Sequence, residues 1–319
     1  MITEKISIKN TEFGSRSAIK VSGLGKYSLR DTLECGQCFR HELIFSDESY
    51  VEYLIPIRTK LIKVGQQKLG ELLFFDVSDD DELKELIIPY FTLLSDYEEI
   101  KRDIISRTDS DWLKAAADAA GGIAILKQDP WEALFSFIVS QNNNIPRIRK
   151  IIRELSAAYG VNISLQNGAK VCPCGKIDSA PCEEKCKSCG ICYTFPTAEA
   201  VAENPELMLP TKPGFRYKYL LDAAEKVTRG EVDLDKIADV GSYEYTVEAL
   251  MQIKGVGLKV ASCTALFGFA NLEAFPIDVW MKRAIDEYFG GNLDPKSLGE
   301  YAGVAQQYIF HYIRNLQSN

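Results

Sequence analysis

Lys259 stands at the mouth of a predicted helix entered through the glycine turn Gly255-Val256-Gly257, and Asp278 opens the next helix 19 residues later, within FPIDVWMKR. An amine and a carboxylate presented at two successive helix starts suggest amine chemistry on nucleic acid. Glycine at both hairpin positions lets the backbone turn sharply and approach a ligand closely. The helix start beyond it offers unpaired N–H groups to an anion such as phosphate. Each feature alone also has a plainer reading. A lysine after a Gly-rich turn is commonly a solvated charge, and an aspartate after Pro276 is an ordinary N-cap.

The elements that must position these groups fall into two kinds. Up to about residue 78, β-prone runs at 50–57, 59–64 and 71–77 alternate with turn signals, as in an antiparallel sheet. Helical periodicity follows almost to the end, from DDELKELIIPYF to LGEYAGVAQQYIFHYIRNL. The expected architecture is α+β: an N-terminal antiparallel β-sheet domain with helices over residues 1–115, packed closely on a helical domain over 116–319.

Composition limits the partners. The 319 residues carry a formal net charge of -8 and 46% hydrophobic residues. An acidic chain does not bind nucleic acid over its whole surface. The cations are clustered, however: Arg147, Arg149, Lys150 and Arg153; Lys212, Arg216 and Lys218; Lys254, Lys259, Lys282 and Arg283. If these segments share a face, that face has a small phosphate footprint. No apolar run approaches a membrane span and MITEKISIKN lacks the apolar stretch of a signal peptide, so a cytoplasmic monomer is expected, nuclear in a eukaryote.

With further blocks in the same order, the sequence resembles the 8-oxoguanine DNA glycosylases of the helix-hairpin-helix superfamily. These blocks are Glu34-Cys35-Gly36-Gln37-Cys38-Phe39-Arg40, Ser140-Gln141-Asn142-Asn143-Asn144-Ile145-Pro146-Arg147, Gly214-Phe215-Arg216-Tyr217, the hairpin at 253–259, the Pro-x-Asp-Val helix start, and Tyr301-Ala302-Gly303 with Gln306 and Phe310. They span nearly the whole chain outside about residues 165–193. The resemblance implies a twisted sheet similar to the TATA-binding-protein fold beside an all-helical glycosylase core, with the last helix returning to the substrate pocket. It also implies a bifunctional glycosylase and abasic-site lyase acting on duplex DNA that contains 8-oxoguanine.

Such an enzyme must flip the nucleotide out, read it and break its glycosidic bond. By resemblance, Lys259 attacks C1′ and forms a Schiff base, while Asp278 stabilises the developing oxocarbenium charge. Gly36 would offer its carbonyl to N7–H of the oxidised base, Phe310 and Cys263 would sandwich the ring, and Gln306 would read the Watson–Crick edge. Asn142 would fill the gap in the duplex, and Arg147 and Arg216 would reach the orphaned partner, favouring cytosine. Gly255 and Gly257 would meet the DNA backbone. Trp280 would also contact the DNA, at a phosphate or against the sugar, and it departs from the pattern, since relatives often carry histidine two residues after the aspartate. The rival readings are a glycosylase of the same superfamily for another damaged base and a non-catalytic, zinc-stabilised DNA-binding protein.

Six of the nine cysteines fall between Cys172 and Cys192. Closely spaced thiolates among small polar residues suit a structural zinc site. Cys172, Cys174, Cys189 and Cys192 are the preferred ligands, with an iron-sulfur cluster as the alternative. No cofactor is expected for catalysis. His41 and His311 carry no catalytic expectation.

Overall fold

The structure, a computed structural model, describes residues 1–10, 14–77, 80–163 and 190–316. Strands β1 (Ile2–Asn10), β2 (Gly14–Ser22), β3 (Glu42–Ser46), β4 (Val51–Ile57), β5 (Lys60–Gln66) and β6 (Leu72–Phe75) form one sheet in the order β1-β2-β6-β5-β4-β3. Every neighbouring pair is antiparallel. The runs expected at 50–57, 59–64 and 71–77 correspond to β4, β5 and β6. The helix Leu29–Glu34, capped by Ser28, buries Leu29 and Leu33 in the apolar cluster that includes Tyr53, Val64 and Phe74 of the sheet.

The rest of the described chain is mainly helical, and many of its helices start on side-chain caps. Ser110, Asp129, Asn144, Asp233, Ser242 and Asp278 each accept a hydrogen bond from a first-turn backbone N–H. The apolar Pro130–Ser140 helix and the Leu258–Gly268 helix behind the hairpin form the centre of the second core. Phe137 and Phe267 stack between them with ring centroids 5.4 Å apart. The last helix, Ala302–Leu316, buries Tyr308 and Ile309 in the same core. The two cores interleave along the chain. Ile100, Ile104 and Leu113 pack with the helical core, whereas Ala124 and Leu126 pack with the sheet.

Gln37 joins the two cores and is fully buried. Its Nε2 donates to the carbonyls of Thr32 at 2.7 Å and Ala124 at 2.8 Å, and its Oε1 accepts from Leu126 N at 2.8 Å. Its own carbonyl accepts from Gln128 Nε2, and Gln128 N donates to the carbonyl of Phe267, both at 2.8 Å. A run of hydrogen bonds thus links the Cys35–Phe39 turn to the helix that carries Lys259. Arg40 adds a buried ion pair with Glu132 at 3.2 Å and donates to the carbonyl of Tyr193.

The residues flanking 164–189 meet. Ile163 N donates to the carbonyl of Cys192 at 2.7 Å, Thr194 N donates to that of Val161 at 2.9 Å, and Asn162 bridges Tyr193.

Candidate active site

The hairpin assigns different tasks to its two glycines. Gly255 has φ +79, and a Cβ there would lie 2.4 Å from the ring of Tyr219, so both conformation and packing require glycine. Gly257 is extended at φ -100, and nothing lies within 4 Å of where its Cβ would be. The free protein does not need glycine at 257. The bare surface there leaves room for a ligand backbone at a helix start that has no side-chain cap.

Lys259, half-buried in the first turn, brings Nζ to 3.5 Å from Ser140 Oγ and 5.5 Å from the centroid of Phe137. Ser140 donates its own hydroxyl proton to the carbonyl of Phe137 at 2.8 Å, which leaves its lone pairs toward the amine. Asp278 is the N-cap of Val279–Tyr288, its Oδ1 accepting from Met281 N at 2.9 Å. Cys263 lies one turn after Lys259 and feels both groups. Burial pushes its thiol up to about 11, with Lys259 pulling it down and Asp278 pushing it up. Burial likewise raises Cys35 to about 12. Both thiols are therefore protonated at neutral pH and poor nucleophiles.

These groups line a cavity of about 1180 Å³, and the expected reading wall lines it too. Gly36, Cys263, Gln306 and Phe310 border it together with Lys259, Asp278 and Trp280. Gly36 sits at φ +91, and a Cβ there would make only ordinary contacts, 3.5 Å from Ile145 and 3.7 Å from Phe310. Glycine is required at 36 by its left-handed backbone rather than by crowding. Trp280 lies 5.9 Å under the guanidinium of Arg283.

The asparagine run separates by function. Asn143 donates to the carbonyl of Val139 at 2.9 Å, and Asn144 caps the helix Ile145–Tyr159. Asn142 is exposed and held left-handed at φ 51 on the rim of the cavity. Arg147 also lines the rim and is exposed. Arg216, expected beside it, is 5% exposed and outside the cavity lining. Its guanidinium donates to the carbonyls of Gln141, Asn142 and Pro213, so it braces the loop from behind. Of the other clustered cations, Arg149 donates to the carbonyl of His41 and Arg153 pairs with Glu42. The basic face is therefore smaller than the cation count implies.

Sequence reading missed several lining residues: Ser140 and Phe137 beside the amine, Cys35 in the reading turn, and Gln307 and Arg314 on the last helix. Ser140 and Cys35 stood inside matching blocks but had no role attached. The spacing of Arg314, four residues after Phe310, was the available signal for that residue.

Cys172, Cys174 and Cys189 lie outside the described residues. Cys192 is fully buried in a small cluster with Leu54, Ile191 and Tyr193. Among the described residues no three His, Cys, Asp or Glu side chains gather to hold a metal.

The family described as 8-oxoguanine DNA glycosylase, N-terminal domain, matches residues 22–134. The fold superposes on MBOgg1, solved with a low-affinity DNA ligand, with a TM-score of 0.79 and 32% identity, covering 99% of this chain and 100% of that one. The chain belongs to the 8-oxoguanine DNA glycosylase family. A second member, the Clostridium acetobutylicum 8-oxoguanine glycosylase/lyase in complex with duplex DNA containing cytosine opposite the lesion, gives a TM-score of 0.79 at 30% identity over 99% of each chain. The Saccharomyces cerevisiae N-glycosylase/DNA lyase is 28% identical over 281 residues, which is 80% of this chain and 66% of that relative's own length.

Proposed function

We propose that this chain excises 8-oxoguanine, preferentially opposite cytosine, from duplex DNA and then cleaves the strand as an abasic-site lyase. The observation that carries this reading is the convergence of Lys259 and Asp278 with the base-reading residues on one cavity in a member of this family. The Lys259 amine attacks C1′ as the C1′–N9 bond breaks; the departing base takes up a proton, the new ammonium gives one up, and opening of the C1′–O4′ bond, whose oxygen is protonated, yields the Schiff base. Asp278 stabilises positive charge on the sugar from its cap position. Loss of a C2′ proton, which the Schiff base acidifies, then expels the 3′ phosphate by breaking the C3′–O bond, and so cuts the strand.

Recognition depends on N7, which carries a hydrogen in 8-oxoguanine and a lone pair in guanine. An acceptor there, the Gly36 carbonyl in this reading, pairs with the lesion and is left unsatisfied by guanine. Asn142 and Arg147 on the rim take the opened duplex, while Arg216 contributes by fixing their loop. In the insertion we retain a zinc site formed by Cys172, Cys174, Cys189 and Cys192, to be checked by metal analysis of the purified protein and by loss of stability on chelation.

Borohydride trapping on a duplex with 8-oxoguanine opposite cytosine tests the central claim. A covalent adduct should form with the lesion duplex, not with the undamaged one, and should disappear in Lys259→Gln while lesion binding persists. Binding without any adduct in the wild-type protein would remove the Schiff-base mechanism. Adduct formation on other oxidised bases but not on 8-oxoguanine would reassign the substrate.

A further inference from the structure

Gln307 is 4% exposed, borders the same cavity as Gln306, and has no place in the chemistry above. Its Nε2 donates to Gln306 Oε1 at 2.7 Å, and its own Oε1 is buried without a partner among the described residues. The opposite arrangement of both amides would bury an unpaired NH₂ instead of an unpaired carbonyl, which is the rarer and costlier defect. The hydrogen bond therefore defines which end of the Gln306 carboxamide is oxygen. A carboxamide on its own rotates between two nearly equivalent states about its terminal torsion. The buried neighbour removes that freedom.

The choice of state matters because purine edges differ in polarity. A guanine-type edge presents an acceptor at position 6 and N–H donors at N1 and the 2-amino group. An adenine-type edge presents a donor at position 6 and an acceptor at N1. A carboxamide with its oxygen toward N1 suits the first edge, and the rotated carboxamide suits the second. We propose that Gln307 is a positioning residue which holds the Gln306 carboxamide in its guanine-reading orientation, and so sets the preference for 8-oxoguanine over 8-oxoadenine. This rests on the glycosylase reading of the cavity.

The test measures single-turnover excision of 8-oxoguanine and of 8-oxoadenine, each opposite cytosine, by the full chain. Gln307→Met keeps the side-chain length and loses the donor. Its 8-oxoguanine rate should fall about fivefold to tenfold, the size expected for one lost orienting hydrogen bond, while the 8-oxoadenine rate holds or rises. Gln307→Glu, whose ionised carboxylate can only accept from the Gln306 NH₂, should shift the ratio further toward 8-oxoadenine, and it carries the same test if the methionine variant does not fold. In a Gln306→Met background, Gln307→Met should leave the ratio of the two rates unchanged. Equal losses on both bases, or an undiminished effect in the Gln306→Met background, would overturn the proposal while leaving the enzyme assignment intact. A wild-type protein that excises neither base would overturn the assignment, and the positioning role with it.

Discussion

The two halves of the cavity are held by opposite means. The chemical half, from the hairpin to Asp278, is set by local devices: a left-handed glycine, a helix start without a side-chain cap and an aspartate cap, all within one short stretch of sequence. The reading half depends on contacts between distant parts of the chain. Gln37 holds the turn beside Gly36 by hydrogen bonds to Ala124 and Leu126, and the last helix brings Gln306 and Phe310 back to it. Chemistry that needs only an amine and a carboxylate at helix starts can be specified locally. Discrimination between bases needs walls facing each other, which only tertiary structure supplies.

The sharpest separation should come at Asp278. Asp278→Asn keeps an acceptor for Met281 N and so keeps the cap, but removes the negative charge. Excision should fall about 100-fold or more, as when a group that stabilises transition-state charge is lost. Thermal stability should stay within about 0.5 kcal/mol of wild type. An equal loss of both would mean that the residue acts only as a cap.

Gln37→Leu should damage the other half. It leaves Leu126 N and the carbonyls of Ala124 and Thr32 without their partner in a buried joint, a loss of about 2–4 kcal/mol in chemical denaturation. Cleavage at a preformed abasic site, which needs no base reading, should survive better than removal of 8-oxoguanine. Equal impairment of the two activities would contradict the division.

The hairpin glycines give a smaller contrast within the chemical half. Gly255→Ala forces a Cβ against Tyr219 at φ +79 and should cost about 1–3 kcal/mol of stability. Gly257→Ala meets open space and should fold normally, with its loss appearing in duplex affinity. Titration calorimetry and melting on the same pair of variants would distinguish the two.

A contrast that depends on pH should come from His41, which is buried close in sequence to the reading turn. Burial, helped by Arg149 and Arg153, lowers its pKa from 6.5 to about 3. The unfolded chain therefore binds a proton that the folded chain refuses between these values, and stability drops as pH falls through that window, by up to about 1.4 kcal/mol per pH unit. His41→Asn should flatten this slope relative to wild type in denaturation curves taken at pH 6 and pH 4.

The legibility of the sequence follows the same division. The hairpin, the Asp278 cap and the strands β4 to β6 could be read because each is encoded by neighbours: glycine conformation, capping chemistry and alternating burial. Gly36, Gln306 and Phe310 were found only through family resemblance. No local rule says that a turn near residue 36 faces a helix near residue 306. Arg216 shows the limit of reading by residue type, because an arginine two residues after a glycine looks the same whether it faces a ligand or braces a loop. The cavity lining and the three backbone carbonyls show that it braces the loop here. Gln307 gave no signal at all, since only its burial beside Gln306 reveals a task.

The backbone bonds between residues 161–163 and 192–194 carry a consequence for how such a chain can change over generations. Because residues 161–163 and 192–194 are bonded to each other, a change in the number of residues between them leaves the distance that the rest must span unaltered. The entropic cost of that freedom grows only with the logarithm of the added length. The position is a natural graft point, where a lineage can acquire or lose an accessory segment while the repair machinery beneath it is inherited unchanged.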